Sequence, residues 1–386
     1  MIHGFLDTDL YKFTMMQYVY HQAPGAEVEY TFKCRNQGIS FKECFNDIKN
    51  QIMALSSLEF NDADICYLKK LGFFKEDFLN FLRYFRLNPL KHITLTLLPD
   101  GSMDITIHGS WLNTILFEVP ILSIVNERYF NTMHPGLTGN GRDILLSEIS
   151  KLKEFPNLKI ADFGTRRRYS RLWQDEVIDI LISNCPNNFV GTSNLMLARK
   201  YNTKGIGTMA HEFFQAAQVL YPLNHFQQSA LDGWSNEYRG SLGIALSDIL
   251  GIDSFLNEFD LKFAKLYDGV RHDSGDPFLW GDKIINHYKK LGIDPMTKTA
   301  VFSDGLNIDK AITIYNYFKN KINMSFGIGT FFTNNMGIMA LNIVIKMILC
   351  NGWPVIKYSD SFGKIHRKND PISIAYENFM VLKLLN

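Results

Sequence analysis

Apolar and polar residues alternate from Val28 through Glu29, Tyr30, Thr31, Phe32, Lys33 and Cys34 to Arg35, a pattern that predicts a strand with one buried face. A short helix is predicted before it, from Asp7 to His21. Helical spacing follows from about Phe41 to Leu55 and continues to about Phe85. Ile93 to Leu98 and Met103 to His108 read as two further strands. Pro99-Asp100-Gly101-Ser102 between them supplies the residues of a tight hairpin turn. The first part of the chain is therefore expected to be α+β.

From about Trp111 the pattern changes to helix, short apolar run, then a loop rich in glycine and polar side chains. Such units end at Asp162-Phe163-Gly164, Gly191-Thr192-Ser193-Asn194, Gly207-Thr208-Met209-Ala210-His211, Leu246-Ser247-Asp248, Arg271-His272-Asp273-Ser274-Gly275-Asp276, Phe302-Ser303-Asp304-Gly305 and Phe326-Gly327-Ile328-Gly329. Repeated strand-loop-helix units imply parallel strands, in an open doubly wound sheet or a closed barrel. In both, ligands bind at the C-terminal ends of the strands, where these polar loops fall. Two last strands, Leu341 to Met347 and Pro354 to Tyr358, flank Asn351-Gly352 and each carries a lysine. This hairpin is expected to return to the N-terminal region. The domains expected are 1–115 joined by 341–386, and 116–340.

Composition narrows the class without naming the chemistry. The chain has 386 residues, 46% apolar and 20% charged, with a net charge of +1. That balance gives no global field for nucleic acid or an acidic membrane, so any anion site must be local. The five cysteines form no C-x-x-C pair and no zinc spacing, which fits reduced thiols and a cytoplasmic location. No apolar stretch is long enough to span a bilayer, and the N-terminus lacks a signal pattern.

Arg166, Arg167 and Arg168 follow the Leu158–Ala161 apolar run and Asp162-Phe163-Gly164. Three adjacent guanidiniums repel one another unless an anion or nearby acids offset them. By itself the triplet also fits an exposed basic helix start. Ser325-Phe326-Gly327-Ile328-Gly329-Thr330 lets backbone amides approach a phosphate, although tight strand-end packing explains it equally well. Asp304-Gly305 reads first as a turn or cap. Arg271 to Pro277 is a stronger signal: a cation, acids and a hydroxyl within a few positions suit a ligand with anionic and polyhydroxyl parts. His211 opens a helix, where a general base, a ligand contact, a phosphorylation site or a structural role are all open. Hydrolase elbows and metal helices of the H-E-x-x-H kind are absent from the sequence.

Together with Asp7-Thr8-Asp9-Leu10-Tyr11-Lys12 and Phe32-Lys33-Cys34-Arg35, these segments resemble the nicotinate phosphoribosyltransferase family along nearly the whole chain. The resemblance implies an irregular TIM-like α/β barrel. It also implies a second α+β domain built from the N-terminal region and the C-terminal hairpin, and a homodimer with shared sites. It further implies that nicotinate and 5-phosphoribosyl-1-pyrophosphate give nicotinate mononucleotide and pyrophosphate in NAD salvage. ATP is the co-substrate, acting through a phosphorylated histidine that matches His211. Phe163 and the partner subunit's Tyr11 are expected to stack on the pyridine ring, and Arg271 to meet its carboxylate. Asp273 and Asp304 are expected to face the ribose or Mg2+, and Gly327 and Gly329 the 5-phosphate. Arg166, with Arg35, Lys346 and Lys357 from the added domain across the dimer, is expected to hold phosphate and pyrophosphate. At least one of Arg167 and Arg168 is expected to pair with a structural acid. Ser193 stands where related nicotinamide enzymes carry an aspartate, whose carboxylate would repel nicotinate. A nicotinamide or quinolinate enzyme on the same fold is the alternative. From another class, a phosphosugar isomerase or aldolase would need a lysine nucleophile or acid base at a strand end, and none stands out.

Overall fold

The apolar positions collect into two sheets, shown by a computed structural model that describes residues 2–358; the expected contribution of 359–386 lies outside the described residues. The first part of the chain supplies β1 (Glu27–Cys34), β2 (Ile93–Leu97) and β3 (Met103–Ser110). Six short strands follow: β4 (Ile160–Asp162), β5 (Phe189–Thr192), β6 (Ile244–Leu246), β7 (Gly269–His272), β8 (Thr299–Phe302) and β9 (Asn323–Ile328). β10 (Ile343–Cys350) and β11 (Trp353–Pro354) come last.

β11-β10-β1-β3-β2 is the order of a five-stranded antiparallel sheet, so the two ends of the described chain pair with each other. The alternation in β1 turns Val28, Tyr30 and Phe32 inward. Across the ladder Tyr30 meets Met347 and Ile107, and Phe32 meets Ile345. The strand expected from Pro354 to Tyr358 is cut short. Pro354 has no N–H for a ladder. Beyond it Ile356 N–H donates to the Gln218 side chain and Tyr358 N–H to the Ile249 carbonyl, drawing the chain off the sheet toward the end of β6.

β4 to β9 are parallel, in the order β5-β4-β9-β8-β7-β6. Most of their side chains are buried, as helices packed on a parallel sheet require. Phe302 and Phe326 stack across neighbouring strands at 5.5 Å. The unit expected to end at Gly207 forms no strand. Only Gly205 bridges to Thr192, and Thr208 Oγ1 donates to the Ile244 carbonyl at 2.8 Å. Gly191 is required where this segment crosses, since a Cβ there would lie 2.1 Å from the Lys204 carbonyl oxygen. In place of a closed ring of strands, a six-stranded parallel sheet has one extended segment lying between its two edges.

The N-terminal segment is docked on the end of β5. Leu10 N–H donates to the Ser193 carbonyl at 2.8 Å, and Leu195 N–H to the Thr8 carbonyl at 3.0 Å. Among the described residues no helix is long and apolar enough to cross a membrane. All five cysteines are free.

Candidate active site

Parallel strands aim their C-terminal ends one way, so the residues just after β4 to β9 converge. His211 opens the helix His211–Leu220. Its Nε2 lies 2.8 Å from Asp248 Oδ1, and its Nδ1 lies 3.7 Å from Asp273 Oδ2. Asp248, just past β6, is fully buried. Its second oxygen accepts from Ser274 Oγ at 2.6 Å and faces Lys357 Nζ at 2.8 Å. Asp273 accepts from Ser303 Oγ at 2.7 Å.

Burial opposes ionisation of Asp248, but His211 and Lys357 hold it well below the usual carboxylate range. Burial likewise opposes ionisation of Asp273, which Arg271, His211 and Lys357 keep low. For His211, burial and then the Lys357 charge win over the two acids and lower its proton affinity. The ring is neutral at pH 7. With the Nε2 proton given to Asp248, Nδ1 keeps a lone pair, because 3.7 Å to Asp273 is too long for a hydrogen bond. Lys357 thus reaches the histidine site of its own chain, where the sequence had placed it with pyrophosphate cations across a dimer. Asp304 is exposed beyond β8 and stands close enough to favour the charged form of His272.

A second group forms around Phe163, whose N–H donates to the Ile328 carbonyl at 2.8 Å. A Cβ on Gly327 would lie 2.3 Å from Phe163 Cε2, and one on Gly329 would lie 3.0 Å from the Phe163 carbonyl oxygen. Both glycines therefore make room for Phe163, the packing role that the motif alone left open. Ser193 is 3% exposed and donates to Asp9 Oδ1 at 2.7 Å. The serine does not leave its surroundings free of carboxylates; it holds one in place. Tyr11 follows on the same turn, and the Gly207 Cβ position is 3.1 Å from its backbone nitrogen. Asp162 beneath them accepts from Gly164 N–H, Gln174 and Thr192 at 2.8, 2.9 and 2.7 Å. Burial still pushes Asp162 up to about 6 against those donors. On β7, Arg271 donates from one terminal nitrogen to the Met209 carbonyl at 3.2 Å, and its buried Nε has no acceptor among the described residues.

The arginine triplet divides. Arg168 is buried and makes a two-pronged pair with Asp7 at 2.6 and 2.8 Å, fulfilling the expected structural pairing. Arg167 donates from Nε to the Ile343 carbonyl at 2.8 Å. Burial, then Arg166 and Arg35, push Arg167 down to about 10, which places three cations together. Arg166 is 44% exposed and pairs with Glu118 at 3.3 Å. Ser123, Asn126 and Asn334 donate to the Thr165, Arg167 and Arg168 carbonyls and fix the loop from behind. Lys346 stands on β10 opposite Thr31.

Sequence reasoning assigned no role to Asp248, Asp9 or Asp162, and missed a buried network altogether. Lys12 is fully buried between Glu118 at 2.6 Å and Glu212 at 2.5 Å, and the Tyr30 hydroxyl donates to Glu212 at 2.8 Å. Asp248 carried a usable signal, an acid ending a short apolar run. Lys12 carried only its place beside Tyr11.

The profile of the nicotinate phosphoribosyltransferase family matches residues 158–381, and that of the family's N-terminal domain matches residues 6–126. The chain is 50% identical over 388 residues to a nicotinate phosphoribosyltransferase of Acidovorax sp. (strain JS42), covering 97% of each chain. A protein of the same name from Xanthomonas campestris pv. campestris (strain B100) is 50% identical over 369 residues, covering 94% of this chain and 92% of its own. Among solved structures, nicotinate phosphoribosyltransferase from Vibrio cholerae superimposes with a TM-score of 0.94 at 38% identity, covering 100% of this chain and 96% of that one. The Porphyromonas gingivalis protein gives 0.93 at 32% identity, covering 98% and 100%.

Proposed function

The chain belongs to the nicotinate phosphoribosyltransferase family, and from that premise we propose that it joins nicotinate to 5-phosphoribosyl-1-pyrophosphate. The products are nicotinate mononucleotide and pyrophosphate, in the salvage route to NAD. The reaction is coupled to ATP hydrolysis through phosphorylated His211. One observation carries the coupled form: His211 Nε2 lies 2.8 Å from the buried Asp248 carboxylate, while its Nδ1 is 3.7 Å from Asp273, beyond hydrogen-bond reach. Nδ1 bonds to the γ-phosphorus of ATP as the bond to the bridging oxygen breaks and ADP leaves. Asp248 offsets the positive charge left on the ring.

In the transfer step pyrophosphate departs and leaves positive charge on the ribosyl carbon, and the pyridine nitrogen attacks from the opposite face. No strong base is needed. Phe163 aligns the ring by stacking, with the partner subunit's Tyr11 on the other face in a shared homodimer site. Arg271, with its unsatisfied Nε, is the partner for the ring carboxylate. Arg166, Arg35 and Lys346 take the phosphate and pyrophosphate charge, with Gly327 and Gly329 at the 5-phosphate. Magnesium favours oxygen ligands and commonly arrives on substrate phosphates. Both Asp248 oxygens are engaged, so Asp273 and Asp304 are the acids to hold such an ion, which would offset charge on the leaving group. The six-stranded sheet with its crossing segment is read as the irregular barrel of this enzyme class.

The test is mononucleotide formation by the purified protein with phosphoribosyl pyrophosphate and either base. Nicotinate should be used and nicotinamide poorly; no product from nicotinate overturns the reading.

A further inference from the structure

The Lys12 network lies outside the groups assigned to substrate, yet it touches both ends of the site. Lys12 belongs to the helix Leu10–Gln22, next to Tyr11. One of its partners, Glu212, is the second residue of the helix that His211 opens. The other, Glu118, opens the helix Glu118–Met133 and carries Arg166 on its remaining oxygen. A single buried ammonium therefore joins the first turns of three helices, one bearing Tyr11, one bearing the histidine and one holding the arginine. Tyr30 and Lys12 share the Glu212 carboxylate, so its rotamer is fixed from two sides.

Two acids and two cations meet here, Glu118 and Glu212 with Lys12 and Arg166. Any shift of the His211 helix moves Glu212, and Lys12 must follow it or surrender the pair. Movement of Lys12 in turn changes the hold of Glu118 on Arg166. A low-dielectric interior makes such adjustments costly and hence strongly linked.

We propose that Lys12 is a positioning residue that couples the histidine end of the site to its arginine end, so that a change at His211 is felt where Arg166 meets an anion. This rests on the site assignments above and extends them to the regulation of anion binding. The experiment is a mutant cycle on pyrophosphate affinity, measured by calorimetry without ATP. His211→Ala and Arg166→Ala are combined first with Lys12 intact and then with Lys12→Met. With Lys12 present the two changes should be non-additive by at least about fivefold, as for residues in one network. With Met at position 12 they should be additive within about twofold, the scatter of independent sites. Because Lys12→Met leaves the buried Glu212 carboxylate without its cation, the pair Lys12→Met/Glu212→Gln is a charge-balanced variant for the same cycle. Full coupling in either background overturns the proposal, as does additivity with Lys12 intact. Labelling of His211 by ATP, assayed separately on the native chain, decides the phosphohistidine reading alone.

Discussion

At the scale of the residue, two titrations distinguish this site from a generic polar cleft. His211 has its proton affinity lowered by burial and then by Lys357. Its neutral form, the nucleophile, should persist to lower pH than for an exposed histidine. Phosphate labelling should thus hold its plateau below the ordinary histidine range near 6.5. Lys357→Met removes the cation and leaves Asp248 and Asp273, so the histidine midpoint should rise; an unchanged or lower midpoint by NMR titration would refute the assigned electrostatics. Asp162 behaves in the opposite sense for stability. Its folded value is raised to about 6 by burial, above its unfolded value of 3.8. The folded state therefore holds the proton more tightly. Stability from this group is full below pH 3.8 and is lost as pH rises through about 6. The cost at neutral pH is on the order of 3 kcal/mol, at about 1.4 kcal/mol per unit. Carboxyl carbon NMR should place the Asp162 midpoint near 6, and a midpoint at the ordinary aspartate position would remove this account.

At the scale of the element, the loop from Asp162 to Arg168 does most of the positioning. It carries Phe163 and the half-exposed Arg166, while Ser123, Asn126 and Asn334 hold its carbonyls. Asn126→Ala leaves the buried Arg168 carbonyl without that donor, at a cost of about 1–3 kcal/mol. The expected result is a higher KM for phosphoribosyl pyrophosphate with a small fall in melting temperature. Gly327→Ala works on the other side of the loop. Its Cβ would meet the Phe163 ring at 2.3 Å, and a displaced ring should raise KM for nicotinate about tenfold, the scale of a lost stacking contact. Equal KM values for both bases in the variant and native enzymes would show that the ring does not stack on substrate. These elements were legible because each strand is a short apolar run that ends in an acid, a glycine or a hydroxyl. Others were not, the strandless Gly207 unit among them. Pro354 to Tyr358 has a strand's composition but lacks a ladder donor at its start and finds partners elsewhere. Lys12 reads as a surface lysine, since one of its partners lies 200 residues away along the chain.

At the scale of the whole molecule, the site depends on how the first ten residues reach the parallel sheet. Asp7 receives both terminal nitrogens of Arg168 and the Asn194 side chain in a fully buried position. The next turn then places Asp9 on Ser193 and Tyr11 beside Gly207. A buried pair of this kind adds little over two well-packed apolar residues, but breaking it by removing one partner costs about 3–5 kcal/mol. Arg168→Met should therefore lower the urea midpoint strongly, because it strands the Asp7 carboxylate. Arg168→Met combined with Asp7→Leu should recover most of that stability. Activity should not recover in step: without the charged pair to fix residues 6–10 on the end of β5, Asp9 and Tyr11 lose their register, and KM for nicotinate should stay raised in the double variant. Recovery of both properties together would mean that the pair serves folding alone and that Ser193 and the backbone bonds of Thr8 and Leu10 at the end of β5 suffice to seat the N-terminal segment.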